Sequence, residues 1–333
     1  MFYQISLKKM FNISIKAFQT SFVLIILLQL ISLLINWEWR NDIFIFTRRQ
    51  NDKESNLPVG RNLKEKYATV VTGYFDIGSF HKGKSHFRKQ GFYFKVANIF
   101  SCLKNSLVVY TDSPVFLNHI KYIRSKQLNK TKIIFFERSS AWSFQILDDI
   151  KRIYSIEDYT KRNASTVLPS YICTMHSKYF CLKQAAENNY FNTKYIMWLD
   201  VGYFWRLKAN RAFFLKRPFK FNDSQIAMNK INTGRSIPSS PVDIIKQSHL
   251  QVGGGLVFGE IHTIIKFSSQ YKRAVEYFLS KNLTNTDQQI LHAMFTQEGR
   301  KAICPDVEIK TYGTADNHDW HFLGNSMVEH ENI

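Results

Sequence analysis

Four apolar runs, each closing on an acidic residue, constrain the fold of this chain more than any other feature. They are TVVTGYFD (69–76), LVVYTD (107–112), KIIFFE (132–137) and YIMWLD (195–200). Dense in β-branched and aromatic residues and nearly free of alternation, they read as strands covered on both faces. Helix-like stretches separate them, among them residues 90–104 and 172–188. In the second, Met175, Tyr179, Leu182 and Ala186 repeat at spacings of 4, 3 and 4 and so share one helix face. Alternating strands and helices predict an α/β fold, with a mixed, mostly parallel sheet flanked by helices. Such sheets bind ligands at the carboxyl ends of their strands, so four terminal acids predict a polar site along one edge.

Asp200, in YIMWLDVGYF (195–204), is the first of these acids to weigh. A carboxylate is costly to bury without a partner, and this one follows an uninterrupted apolar run. Two readings are open. Either Asp200 faces a metal, a sugar or a phosphate-bearing ligand, or it caps a turn in which Gly202 supplies a positive φ.

The second half of the chain has a different texture. QVGGGLVFGE (251–260) reads as a Gly-rich turn joined to a short strand. Residues 262–280 form an amphipathic helix with Ile264, Phe267, Tyr271, Ala274 and Phe278 on one stripe. In TDQQILHAMF (286–295), Thr286 is placed to cap a helix, with Gln289 at the capping-box position. Gly253 to Gly255 lack the Lys and Ser/Thr of a Walker A loop and open no helix directly, so they either admit a ligand close to the backbone or turn a corner. Neither a G-x-S-x-G elbow nor an H-E-x-x-H helix occurs, which disfavours hydrolases of those kinds.

At 45% hydrophobic and 15% aromatic, a 333-residue chain has ample material for a core, and wholesale disorder is excluded. A net charge of +19 favours anionic partners, whether nucleic acid, an acidic membrane face or a phosphorylated small substrate. The aromatics show no RNP-like or zinc-finger spacing, so nucleic acid is not expected as a partner. The N-terminus narrows the choice further. Ala17 to Trp37 carries no charge, about the ~20 residues a bilayer-spanning helix needs. Lys8, Lys9 and Lys16 precede it, Trp37 and Trp39 sit at the interface position, and the bulky residues that follow offer no cleavage site. The predicted order is a cytoplasmic tail (1–16), a transmembrane signal anchor (17–37), a polar stem (38–66) and a lumenal body (67–325). N-x-S/T sequons at Asn129, Asn163, Asn222 and Asn282 accord with a lumenal body, while Asn12 would fall in the cytosol. Cys102, Cys173, Cys181 and Cys304 form one or two disulfides in an oxidising compartment, or are buried as small apolar residues.

The TGYFD strand, LVVYTD, MHSKYFCLKQAAENNYFNTKYIMWLDVGYF (175–204), QVGGGLVFGE and TDQQIL, in that order and spacing, resemble the HtrL/YibB family over roughly residues 66–322. That family is in turn similar to the GT-A superfamily of glycosyltransferases. The resemblance implies a GT-A-like, nucleotide-diphospho-sugar transferase domain in which Asp200 holds a cation, Mn²⁺ or Mg²⁺, against the donor diphosphate. Gly202 stands where a second carboxylate would be, so the resemblance turns to His318 or His321 for a further ligand, His321-Phe322-Leu323-Gly324 matching an H-x-x-G segment. A pair of surface histidines is the plain alternative. The resemblance also implies that Lys178 faces the donor, that Thr72, Tyr74 and Asp76 meet the nucleotide with Asp112 in the same donor-binding set, and that Arg88 meets the diphosphate. For Lys178 and Arg88 the alternative is a solvated helix face. Asp287 would orient the acceptor or act as base, or else be a helix N-terminal carboxylate favoured by the dipole.

The expectation is a single-pass type II membrane protein of the Golgi or endoplasmic reticulum. It would transfer a sugar from a nucleotide-sugar donor to a glycan, glycoprotein or glycolipid acceptor. The competing expectation, motivated by Gly202, is a non-catalytic carbohydrate-binding or scaffolding protein on the same fold.

Overall fold

The computed structural model describes residues 67–82, 87–160, 164–207, 211–231, 240–313 and 319–331. The expected tail, anchor and stem lie outside these residues, as does His318. No helix among the described residues is long and apolar enough to cross a membrane.

The strands are β1 (Thr69–Tyr74), β2 (Phe80–His81), β3 (Phe87–Arg88), β4 (Leu107–Thr111), β5 (Thr131–Phe135), β6 (Tyr195–Leu199), β7 (Phe213–Leu215), β8 (Gln225–Lys230), β9 (Val252–Glu260), β10 (Glu308–Tyr312) and β11 (Val328–His330). Seven of them form one sheet in the order β10-β8-β9-β6-β1-β4-β5. β1 pairs in parallel with β4 and β6, β4 with β5, and β8 with β10. Only β9 runs against its neighbours, β6 and β8. Parallel neighbours need a crossover between them. The helix Gln90–Ala97 lies between β1 and β4, Pro114–Ile123 between β4 and β5, and Leu147–Tyr154 with Pro169–Asn188 between β5 and β6.

The period of two along each strand sends adjacent residues into opposite layers. Val70, Val109 and Met197 pack on one face with Phe100, Phe116 and Leu323. Val71, Val108 and Trp198 pack on the other with Ile153, Leu182 and Tyr271. Both faces of β1, β4 and β6 are covered, which is why those runs are apolar throughout rather than alternating, whereas β5, the edge strand, is half-buried and leaves Phe135 exposed. The long helix Pro169–Asn188 has proline at its start and Asn189 in the left-handed conformation, with φ of 36°, at its end. Of its predicted stripe, Tyr179, Leu182 and Ala186 are buried and Met175 half-buried. The stripe predicted over 262–280 is buried in full within the helix Ile261–Ser280.

Three expectations are corrected. The Gly-rich segment is no turn before a short strand but one nine-residue strand, β9. Pairing on both sides satisfies its backbone and outweighs the weak strand preference of glycine. All four cysteines are free rather than paired; Cys173 and Cys181, buried along one helix, act as small apolar residues, while Cys102 is half-buried and Cys304 exposed. The folded body also continues past residue 325, because β11 pairs with β7. Of the sequon asparagines, Asn129, Asn222 and Asn282 are exposed, while Asn12 and Asn163 lie outside the described residues.

Candidate functional site

From β1 the chain steps outward to β4 and β5 and then returns to place β6 on the opposite side of β1. Open α/β sheets form a crevice at such a reversal of strand order, at the carboxyl ends of the strands. A cleft of about 340 Å³ opens there. Tyr74, Trp198 and Asp200 reach it from β1 and β6, and Gly254 and Gly255 from β9, whose reversed direction brings its beginning beside the end of β6. One face of the helix Pro169–Asn188 forms a wall, with Tyr171, Thr174, Met175 and Lys178 at the i, i+3, i+4 and i+7 positions.

At the base of the cleft three charges meet. Lys178 Nζ lies 3.0 Å from the Gly254 carbonyl oxygen, 3.2 Å from Asp287 Oδ2 and 3.3 Å from Asp200 Oδ1. An ammonium carries three N–H donors, and here it faces three oxygens. Lys178 and Asp287 are buried, whereas the Asp200 side chain keeps 40% of its surface exposed. Burial alone would lower the Lys178 pKa, but Asp200 and Asp287 together raise it, so the ammonium stays charged. Burial raises the Asp287 carboxyl, with Lys178 pulling it back. Trp198, two residues before Asp200 and therefore on the same strand face, donates from Nε1 to Asp200 Oδ1 at 2.7 Å. Asp200 is thus held from behind by an indole and an ammonium while it faces the cleft.

Local sequence explains how Asp287 reaches this position. It opens the helix Asp287–Met294 after Thr286, whose extended backbone makes it the N-cap. The predicted capping box forms in a different way: the Thr286 hydroxyl donates to Gln289 Oε1 and accepts from no helix N–H. A β-carbon on Gly254 would fall 2.1 Å from Asp287 Oδ2. The glycine run therefore lets backbone approach closely, and at Gly254 what approaches is a carboxylate of the same chain.

The other expected residues divide. Tyr74 lines the cleft, stacks on Phe116 at 4.5 Å, and has its phenol pushed up to about 12 by burial and then by Asp76. Arg88 also lines it, from β3 rather than from a helix, with its guanidinium 4.0 Å from the centre of the Phe92 ring. Thr72 does not reach the cleft. β1 and β6 stop pairing at Val71 and Trp198, and the buried Thr72 hydroxyl donates to the next free acceptor, the Leu199 carbonyl, at 2.6 Å. Asp76 and Asp112 are absent from the cleft lining as well. Asp112 accepts from the Asp76 N–H at 2.8 Å and pairs with Arg138 at 2.5 Å, while Asp76 accepts from the Gly78 N–H and Gln90. Glu137 is exposed. The polar edge is therefore two separate clusters rather than one row of acids.

Neither solvated-helix alternative holds, since Lys178 is buried and Arg88 is on a strand. The turn-cap reading of Asp200 also gives way. A turn does begin at Asp200, whose carbonyl accepts from the Tyr203 N–H, but the carboxylate bonds Trp198 and Lys178 rather than capping it, and Gly202 has no positive φ. Gly202 does line the cleft, but as open space, with the nearest neighbour of an added β-carbon, Val96, at 3.8 Å.

The cation expected at Asp200 fits these residues poorly. His321 lines the cleft, yet its ring lies edge-on to Tyr203 and its Nδ1 is 3.9 Å from Asp319. Burial lowers its pKa, with Asp319 opposing. Among the described residues no group of three or more His, Cys, Asp and Glu side chains could hold a metal ion. The space between Asp200 and Asp287 already contains the Lys178 ammonium.

Sequence reasoning missed Trp198 as a partner of Asp200, Lys82 as a second cation lining the cleft with Arg88, and the exposed Trp205 and Trp320 at the cleft. Trp198 carried a usable signal, because its spacing of two from Asp200 fixes the shared face. The tryptophans carried none.

A family model described as a bacterial protein of unknown function, HtrL_YibB, matches residues 66–299. The match ends before the segment that holds His318 and His321. No curated protein matches the chain. With well over half of its length matched, the chain belongs to the HtrL/YibB family.

Proposed function

We propose that this chain is a glycosyltransferase with a GT-A-like domain, moving a sugar from a nucleotide-sugar donor to a carbohydrate acceptor. The observation that carries the reading is Asp200 at the crevice, half in solvent and braced by Trp198 and Lys178. Sugar transfer forms a bond from an acceptor oxygen to the anomeric carbon and breaks the bond from that carbon to the diphosphate, which leaves with the electron pair. The acceptor hydroxyl must lose its proton. Asp200 is exposed enough to take it, whereas Asp287, 1% exposed and bonded to Lys178, is not. With both carboxylates ionised, Lys178, Asp200 and Asp287 sum to one negative charge, so an anionic diphosphate belongs nearer Arg88 and Lys82 than at the base. Aromatic walls supplied by Tyr74, Tyr93 and Tyr171 suit the apolar faces of a base and a sugar ring. The reading includes the type II anchor at residues 17–37 and a body on the lumenal side of the secretory pathway.

The test is a thermal-shift screen of the full chain, in detergent, against nucleotide sugars, followed by turnover of the stabilising donor. Asp200→Asn keeps the shape of the side chain and removes its charge, and turnover should fall about 10²- to 10³-fold. Full turnover by Asp200→Asn would exclude this assignment. Stabilisation by free glycans and by no nucleotide sugar would favour the binding-protein alternative.

A further inference from the structure

We infer that Lys178 stands in the place of the divalent cation, so that donor chemistry at this cleft proceeds without a bound metal; the inference rests on reading the cleft as a donor site. The oxygens around Nζ are two carboxylates and a backbone carbonyl, from Asp200, Asp287 and Gly254. Hard cations such as Mg²⁺ and Mn²⁺ choose that kind of oxygen set. The spacing, however, is that of an ammonium. The three contacts measure 3.0 to 3.3 Å, as N–H donors require, whereas Mg²⁺ demands about 2.1 Å.

A dication bridging Asp200 and Asp287 would have to enter the space of Nζ and would lie against a fixed positive charge. Lys178 has no route of withdrawal. It is 3% exposed, in the middle of a twenty-residue helix, with all three donors engaged. Gly202 fits the same logic: where the likeness to metal-dependent enzymes calls for a second carboxylate on this turn, the chain has open space and provides its second carboxylate from Asp287 instead. The ammonium then does two things for the site. It holds Asp200 in position, and it cancels one of the two negative charges that would repel a diphosphate.

The experiment is Mn²⁺ titration of the full chain in detergent, read by the loss of the aqueous Mn²⁺ electron paramagnetic resonance signal. Three proteins are compared: wild type, Asp200→Asn and Lys178→Met. Wild type and Asp200→Asn should take up Mn²⁺ alike, since neither offers a cleft site. Lys178→Met frees both carboxylates and should bind one Mn²⁺ per chain at least about tenfold more tightly than wild type, because a fixed like charge has been removed. Uptake by wild type that Asp200→Asn abolishes would overturn the inference. So would a folded Lys178→Met protein, checked by circular dichroism, that gains no Mn²⁺ binding. If Lys178→Met does not fold, the comparison of wild type with Asp200→Asn decides the matter alone. None of these readouts involves a nucleotide sugar, so failure of the transferase reading would show separately, in the thermal-shift screen.

Discussion

The cluster of Asp76, Asp112 and Arg138 and the cluster of Asp200, Lys178 and Asp287 stand at the same edge of one sheet, beyond strands β1, β4 and β6. In the first, the cation is outside: Arg138 keeps 37% of its side chain exposed and covers Asp112, whose other oxygen holds the Asp76 N–H. In the second, the cation is inside, and Asp200 faces outward from it. An acid at a strand end thus becomes available to a ligand only when its counter-ion lies behind it. Where the counter-ion lies in front, the same residue type is an internal brace.

That contrast can be broken most directly by removing each cation. Lys178→Ala leaves Asp287 buried and unpaired and should cost about 3–5 kcal/mol of stability, whereas Arg138→Ala, at a solvent-screened pair, should cost about 1 kcal/mol or less. Urea unfolding of both variants measures the difference, and equal losses would erase the distinction between the clusters.

A smaller effect sharpens the role of the glycines around Asp200. Gly254→Ala drives a β-carbon into the Asp287 carboxylate and should cost about 1–3 kcal/mol as an overpacked site. Gly202→Ala meets only Val96 at van der Waals distance and should stay within about 0.5 kcal/mol of wild type. Thermal unfolding of the pair checks this, and a neutral Gly254→Ala would mean that Asp287 is free to move aside.

A graded probe is pH, whose effect within any one pH unit is small. His176, on the same helix as Lys178, is fully buried, donates or accepts through Nδ1 with the Tyr271 hydroxyl at 2.7 Å, and has its pKa lowered to about 3 by burial and then by Lys178. Its unfolded value is near 6.5, so between pH 6.5 and 3 the unfolded chain binds the extra proton. The stability contributed by neutral His176 is therefore complete above pH 6.5 and declines on acidification, by about 1.4 kcal/mol per pH unit. His176→Phe should remove that one-proton slope from denaturation curves recorded across the window. An unchanged slope would show that His176 charges without disturbing the buried side of the site.

Much of the scaffold could be read directly from local pattern. The four apolar runs became β1, β4, β5 and β6; the helix stripe over 262–280 was buried in full, and that over 172–188 was buried except for the half-buried Met175. β9 was misread because three glycines in a row carry no strand signal, and its pairing is supplied by neighbours remote in sequence. In the site, Asp200, Tyr74, Arg88, Lys178, Asp287 and His321 all reach the cleft. Thr72, Asp76 and Asp112 do not: Thr72 and Asp112 satisfy backbone groups that only the assembled fold brings to them, and Asp76 is occupied by the Gly78 N–H two residues on and by Gln90. Lys178 itself had left a trace, falling at spacings of 3 and 4 between Met175 and Leu182 on an otherwise apolar face.

By itself, then, the sequence determined four of the seven strands of the sheet and its two longest helices, that the sheet is mostly parallel, and that acids end those four strands. Those properties depend on periodicity and side-chain type within a dozen residues, where backbone geometry alone dictates which face a residue occupies. Only the tertiary structure decided which acids share a cation. Lys178 and Asp287 are 109 residues apart, and their meeting depends on β9 running backwards beside β6 and on Gly254 having no side chain where the carboxylate must pass. Charges interact through space rather than along the chain, so the roles of Asp200, Lys178 and Asp287 became readable only once the fold had placed them within 3.3 Å of one another's atoms at Lys178 Nζ.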